Sequence, residues 1–524
     1  MSEDNTLNST GKWLASYLES LESSKDSNSK NVNEKLINVA GVGRIVSSAY
    51  EQLRNAAEYS QDHLLIQNAI RRFFVRNLFL VDQVKVDQTI AEELVVELTQ
   101  AGYIKNNSQP VSKINELFKI INQYFSLYKR LQVTNIDQKN TRDWVLDLMS
   151  IGCEELFIDN QKQSAYIQFA YKHYLSSLNK KSFIISGQDS SGFEASLYIA
   201  VHKSLINSDL AAIRFDMNKI YKVSTNDVKE FINFNNNLDY LYNSEVTKKL
   251  ARYINKYGAP LRILRSMIKN HNIVEDLKNR DKFKKSFQNQ VKQEYKLSRT
   301  KLNNGLLKSI AFLVITKSLI GLAVEVPYDI LINGEIKYVP LFINLFTPVI
   351  YLAVLRLGIK VPSKSNAKAL WLYADEMLYS KNTSSSLYPS VQDKKYPIGF
   401  KIAYGLMFVL VFGLSINILM KLNFDLVQSV IFFIFLAAAS FLGFRLSKFV
   451  KELELVTTKQ GIISALRDFL FMPFTFLGKQ ISDNYQKINI VALVLDTFIE
   501  LPLKTVLRLF RQWMGFIDDK KEEL

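Results

Sequence analysis

The fold class predicted by this sequence is all-α: a cytoplasmic helical domain, a transmembrane region of four helices in two hairpins, and amphipathic helices at the C-terminus. Three observations predict it. Four apolar stretches, Ile310–Tyr328, Val339–Leu357, Ile402–Met420 and Leu426–Leu442, each approach the roughly 20 residues a helix needs to cross about 30 Å of hydrocarbon. The basic residues around them alternate in density from one connection to the next, as bilayer insertion demands. The chain of 524 residues holds only 10 prolines and 19 glycines, which favours long helices over turn-rich strands.

Residues 1–33 are rich in Ser, Asn, Asp, Glu and Lys and read as a disordered segment; Trp13, Leu14, Tyr17 and Leu18 allow one short helix within it. The cytoplasmic helical domain is expected over 34–300. Leu36, Val39, Val42, Ile45, Val46, Ala49 and Leu53 recur at helical steps, and His63–Val81 sets Leu64, Ile70, Phe73 and Phe74 against Arg71, Arg72 and Arg76. Asp87 is placed to cap Gln88–Gln100, and Gly102 to end it. Ser112–Leu131, Thr141–Phe157, Gln161–Leu178, Glu194–Ile206 and Leu210–Tyr221 continue the pattern, and Ser224 with Asp227 offers a capping arrangement for the next helix. Ser182–Ser186 is β-like, but a strand without a partner makes no sheet. Pro260 suits the first turn of a helix through Ile268, and Lys278–Asn304 reads as a basic helix entering the membrane.

The transmembrane domain is expected over 301–450, with a cytoplasmic loop at 358–401. Asn333-Gly334 is a turn dipeptide inside Asp329–Tyr338, and Lys421–Asp425 is short enough to be only a tight turn. Lys282, Lys284, Lys285, Lys292, Lys296, Arg299 and Lys301 precede the first span, seven more basic residues separate the second from the third, and Arg445, Lys448 and Lys451 follow the fourth. That asymmetry puts both termini and the long loop in the cytoplasm. MSEDNTLNST has neither a basic n-region nor an apolar h-region, so no cleavable signal is expected. Over 451–524, Ile462–Leu477 and Ile488–Trp513 are amphipathic. Asp496, Glu500, Lys504, Arg508 and Arg511 argue against a fifth crossing, because one such charge at mid-bilayer costs about 3 kcal/mol.

The net charge of +16 indicates attraction to nucleic acid or to a membrane. The basic residues cluster at membrane boundaries, and no basic face carries interleaved aromatics. The expected partners are therefore a bilayer with anionic cytoplasmic lipids, a protein bound at the helical domain and a second copy in a homo-oligomer, with no nucleic acid. Cys153 is the single cysteine, so no intrachain disulfide forms.

Catalytic and metal motifs are not expected. His63, His173, His202 and His271 share no helical turn with another histidine or the cysteine and read as surface or helix-capping residues. Ser186–Phe193, SGQDSSGF, has Gly187 and Gly192 spaced like a phosphate-binding loop but lacks the lysine that must come next, and Gly41-Val-Gly43 lacks a third glycine. No cofactor is predicted. The informative feature is polar content in the spans: Lys317 at mid-depth of the first, Glu325 eight residues on, Asn344 in the second and Asn417 in the third. A regular helix sets Lys317 and Glu325 about 12 Å apart along the axis and about 80° around it, so they are expected to find partners on other helices. Pro327, Pro340 and Pro348 mark either helix ends or a distorted helix pair. The function these features imply is a non-enzymatic membrane scaffold or regulator; the alternative is an oligomeric transporter or channel subunit with a polar path through Lys317, Glu325 and Asn344.

Overall fold

A computed structural model of the chain describes residues 6–28, 35–39, 44, 47–52, 64–79, 86–134, 138–183, 192–359, 362–380, 397–456, 462–487, 500, 502–506, 509, 513, 516–517 and 520. Among them there is no strand; the one sheet-like feature is an isolated bridge between Leu36 and Pro110. In chain order the helices begin with α1 (Ser9–Asn28), α2 (Leu65–Phe74, running into a π-helical turn Val75–Phe79), α3 (Gln88–Gln100), α4 (Ser112–Gln132), α5 (Gln138–Glu155) and α6 (Gln161–Ser177). Then come α7 (Phe193–Val201, running into a π-turn His202–Ile206), α8 (Leu210–Ile220), α9 (Val228–Asn243), α10 (Glu245–Tyr257), α11 (Ala259–Asn270) and α12 (Val274–Lys278). The remainder are α13 (Arg280–Ile320), α14 (Tyr338–Gly358), α15 (Lys364–Tyr379), α16 (Ile398–Lys421), α17 (Leu426–Lys451) and α18 (Ile462–Lys487). Four of these are long and apolar enough to span a membrane: α13 with its continuation to Asn333, α14, α16 and α17.

The chain forms two compact units. One comprises Met1–Ala15, Ser176–Phe183 and Arg252–Ile488; the other comprises Ser16–Leu175, Ile184–Ala251 and Asn489–Leu524. The first of these units runs continuously through residue 300. The cause is local packing: Phe283 and Phe287 at the start of α13 meet Trp371 of α15 at ring distances of 6.2 and 6.0 Å, and Arg280 bridges Asp375 at 2.6 Å. Helix α15 lies inside the loop expected at 358–401, a connection longer than two adjacent spans need, and its Leu370, Trp371, Ala374 and Leu378 are buried. The segment read as disordered apart from one short helix around Trp13–Leu18 carries α1, 20 residues long. Asn8 caps it by accepting from Gly11 N at 2.8 Å and anchors it by donating to Met377 O at 2.9 Å, while Leu14, Leu18 and Leu21 form a buried stripe.

In the same unit α18 runs beyond the predicted Leu477. It lies against α16 and α17, with Phe474 5.2 Å from Phe412 and 6.3 Å from Phe433. Gly478 allows its backbone to close on the Ala437 carbonyl and Phe441.

The other unit is a helical core built on Ile70, Phe73, Leu94, Leu98, Leu117, Ile121 and Met149. Predicted helix α3 forms with the expected bounds, and Gly102 takes φ +87 at its end. Asp227 caps α9 through Glu230 N at 3.0 Å. Two ionic networks are buried here. Arg214 holds Asp147 (3.0 Å), Asn235 (2.8 Å) and Asp239 (2.6 Å). In the second, Glu500 accepts from Tyr50 (2.9 Å) and Arg76 (2.6 Å) and pairs ionically with Arg72 at 3.2 Å, while Lys504 lies 3.3 Å from Glu97. Most of Ile488–Trp513 lies outside the described residues. So do most of Ser182–Ser186, of Ser186–Phe193 and all of Gly41–Gly43.

Candidate functional site

Lys317 is 2 % exposed and Glu325 1 %, and the two form a direct ion pair. This corrects the expectation that they seek separate partners. The reason is a break in helical register. The α-helix ends at Ile320 and a π-turn spans Gly321–Glu325. A turn closed from i to i+5 absorbs one extra residue and so rotates the downstream helix back by roughly 100°, which converts an 80° offset into a near-common face. The local sequence explains the widening. Pro327 has no N–H to return to the Ala323 carbonyl, and its ring crowds that oxygen. A single α-turn, Val326–Tyr328, separates this π-turn from a second at Asp329–Asn333.

The remaining groups converge from α14 and α17. Asn344, fully buried, donates through Nδ2 to Glu325 Oε2 (3.4 Å) and to the Gln428 carbonyl (3.3 Å). The Gln428 side chain donates to Asp329 Oδ1 (2.8 Å) and accepts from Asp425 N (3.1 Å), completing a capping box at the start of α17. Asp329 also accepts from the Lys337 backbone (3.1 Å) and Asn333 Nδ2 (3.3 Å). At the turn end Asp425 takes Lys337 Nζ (2.9 Å) and Asn333 Nδ2 (2.8 Å). Lys317 Nζ lies 4.8 Å from the centre of the Phe435 ring. A continuous chain of polar groups thus runs from mid-helix to the turn, inside a bundle whose outer face is apolar. Leu319, Leu322, Phe342, Phe346 and Ile434 are exposed.

Asn417 is not part of this site. It sits exposed on α16, which buries only Met407, Val411 and Leu419. Sequence reasoning singled out Lys317, Glu325 and Asn344 and missed Asn333, Gln428 and the Lys337–Asp425 pair. Two signals were available: Asn333 lies one turn after Asp329, and Asp425-x-x-Gln428 is a capping box in sequence.

A second buried polar group lies in the other unit. His173 and His202 are buried rather than superficial; His271, at the end of α11, is exposed as expected, and His63 lies outside the described residues. His202 opens the π-turn after α7, with Nδ1 3.3 Å from Ser208 Oγ and Nε2 3.5 Å from Asp216. Burial holds the His202 imidazole down at about 3 and His173 at about 4, and pushes the Asp216 and Glu154 carboxyls up to about 7 and about 8. Burial also pushes the Cys153 thiol far up, so it offers no thiolate. No group of three His, Cys, Asp or Glu side chains suited to a metal occurs among the described residues.

Compared with known proteins, the chain matches no family model, no curated protein and no solved structure.

Proposed function

We propose that the chain is a non-enzymatic integral membrane protein, a scaffold or regulator that ties helical units to the inner face of a bilayer. The observation that carries this reading is α13, 41 residues of continuous helix from Arg280 to Ile320. Its start is packed among the aromatic side chains of α15, and its last turn holds Lys317 of the buried polar cluster. A helix hydrogen-bonded without interruption moves as one rigid element, so a change at either end is felt at the other. The lysine and arginine asymmetry puts both termini and 358–401 inside. Lys301 and Lys308 are exposed on α13 close to the start of the first apolar stretch at Ile310, and basic side chains that near the surface are each drawn to anionic headgroups by about 1 kcal/mol. The proposal includes a protein partner for the helical unit and association into a homo-oligomer.

The test has two parts. A reporter active only outside the membrane should work when fused after Gly334 and stay silent after Lys364 or Leu524; activity at Leu524 would give an odd number of crossings and overturn the topology. Purified chain in sealed vesicles should pass no ion or solute above empty vesicles. Flux would instead support an oligomeric transporter or channel subunit, the reading that the buried polar chain favours.

A further inference from the structure

The charges in the cluster do not cancel. Lys317 and Lys337 face Glu325, Asp329 and Asp425, which leaves one negative charge in excess. Glu335 and Lys421 lie at the same turn end but are exposed, and they make no ion pair with the cluster among the described residues. The excess falls on Asp329. It is 1 % exposed, and its hydrogen bonds come from neutral donors: the Gln428 amide, the Asn333 amide and the Lys337 backbone. A buried carboxylate without a cationic partner is expensive in an apolar bundle.

A second observation at the same place concerns an oxygen. Asn344 Oδ1 is buried and accepts no hydrogen bond among the described residues. Flipping the amide does not help, because Nδ2 already serves Glu325 and the Gln428 carbonyl, and an oxygen in its position would face both acceptors. Pro348, four residues on, has no N–H to return to the Asn344 main-chain carbonyl. Asn344 and Asp329 are linked through Gln428, the first bonding its main-chain carbonyl and the second its side-chain amide.

We propose that the cluster binds one monovalent alkali cation, with Asp329 supplying the charge and Asn344 Oδ1 a neutral oxygen ligand. Carboxylate and carbonyl oxygens suit hard cations, and distorted helices inside a bundle present them without regular helical partners. A single excess charge calls for a monovalent ion. A proton on Asp329 would neutralise the charge but supply no partner to Asn344 Oδ1, whereas a cation can take both oxygens as ligands. This inference does not depend on the scaffold reading, since binding is measured on the purified chain whatever its topology.

The experiment is equilibrium binding of radioactive Na⁺ to purified full-length protein in detergent, in a choline chloride background at constant ionic strength. Saturable uptake near one ion per chain is expected. Asp329→Asn and Asn344→Leu should each weaken it by about tenfold or more, about 1.4 kcal/mol by the usual conversion, while Glu335→Gln leaves it intact. Absence of saturable Na⁺ uptake by the unmodified protein between pH 6 and 8.5 overturns the proposal. So does full binding by folded Asp329→Asn. If either variant fails to fold, competition on the unmodified protein decides. Displacement of bound Na⁺ by Li⁺ or K⁺ but not by choline supports the site, and displacement by choline overturns it. Stabilisation that tracks pH and ignores Na⁺ would make this a proton site and overturn the alkali-ion assignment.

Discussion

Replacing Lys317 by methionine tests the central feature of the structure. The ammonium is 2 % exposed and has two partners, the Glu325 carboxylate and the Phe435 ring at 4.8 Å. Methionine fills the same volume and keeps a favourable contact with the ring, so the aromatic term changes by no more than about 1 kcal/mol. The dominant effect is on Glu325, which is 1 % exposed and among the described residues keeps only the long Asn344 bond of 3.4 Å. Stranding one member of a buried pair destabilises by about 3–5 kcal/mol, whereas replacing both members by apolar groups of similar volume is often near neutral. Lys317→Met should therefore lose about 3–5 kcal/mol, and the double variant Lys317→Met/Glu325→Met should recover most of it. The assay is reversible unfolding of the purified chain in mixed detergent, with all four proteins of the cycle measured under one condition. A single-variant loss under about 1 kcal/mol, or strictly additive losses, would mean that the lysine reaches the surface and is not held by Glu325.

Pro327→Ala restores a backbone donor and should let the π-turn relax to α-helix, so the Lys317–Glu325 coupling energy measured in that background should fall below about 1 kcal/mol even if overall stability rises; an undiminished coupling would show that Pro327 does not set the register. Glu500→Gln removes the carboxylate shared by Tyr50, Arg72 and Arg76 and should destabilise that unit by about 3–5 kcal/mol in chemical denaturation; a loss near zero would remove the ionic network from the forces holding the C-terminal segment. In the same unit the raised Asp216 and Glu154 carboxyls favour folding at low pH and lose that contribution as pH climbs towards about 8, while the depressed His173 and His202 act in the opposite sense only below about 6.5. Stability should fall between roughly pH 6.5 and 8, and Asp216→Asn with Glu154→Gln should flatten that limb of the denaturation profile; an unchanged slope refutes the assignment. A methyl group at Gly478 would run into the Ala437 carbonyl and lie 2.8 Å from Phe441 Cβ, so Gly478→Ala should lift α18 off α17 and speed maleimide labelling of a Phe474→Cys reporter; unchanged labelling would mean the backbone yields instead.

The parts of this fold legible in sequence are those governed by one-dimensional periodicity. The four apolar spans, the amphipathic faces of α3 and α4 and the cap at Asp227 depend on residues within a few positions of one another, and they appear where the pattern puts them. What escaped depends on contacts distant in sequence. Helix α1 is held by Leu378 and Met377, more than 360 positions away, and a polar N-terminal segment gives no hint of such an anchor. Helix α15 carries its own apolar stripe, yet a helix between two spans is easily taken for the connection itself. His173 and His202 lack metal-ligand spacing, and that absence says nothing about burial, which tertiary packing decides.

The site shows the limit most clearly, because its residues were legible and its geometry was not. Lys317, Glu325 and Asn344 stand out as polar groups in apolar runs, whatever the helix does between them. Which of them meet depends on the angle between positions 317 and 325, and an ideal α-helix gives the wrong answer by roughly one residue of rotation. The correction is encoded in Gly321 and Pro327, which weaken the α-helical ladder on either side of the turn. Asn417 failed for the complementary reason. An apolar run is the same on all faces, so α16 offered no way to tell its buried stripe, Met407, Val411 and Leu419, from the side that carries the amide. In a membrane-type bundle, polarity locates candidate groups, and the irregular turns decide which of them become partners.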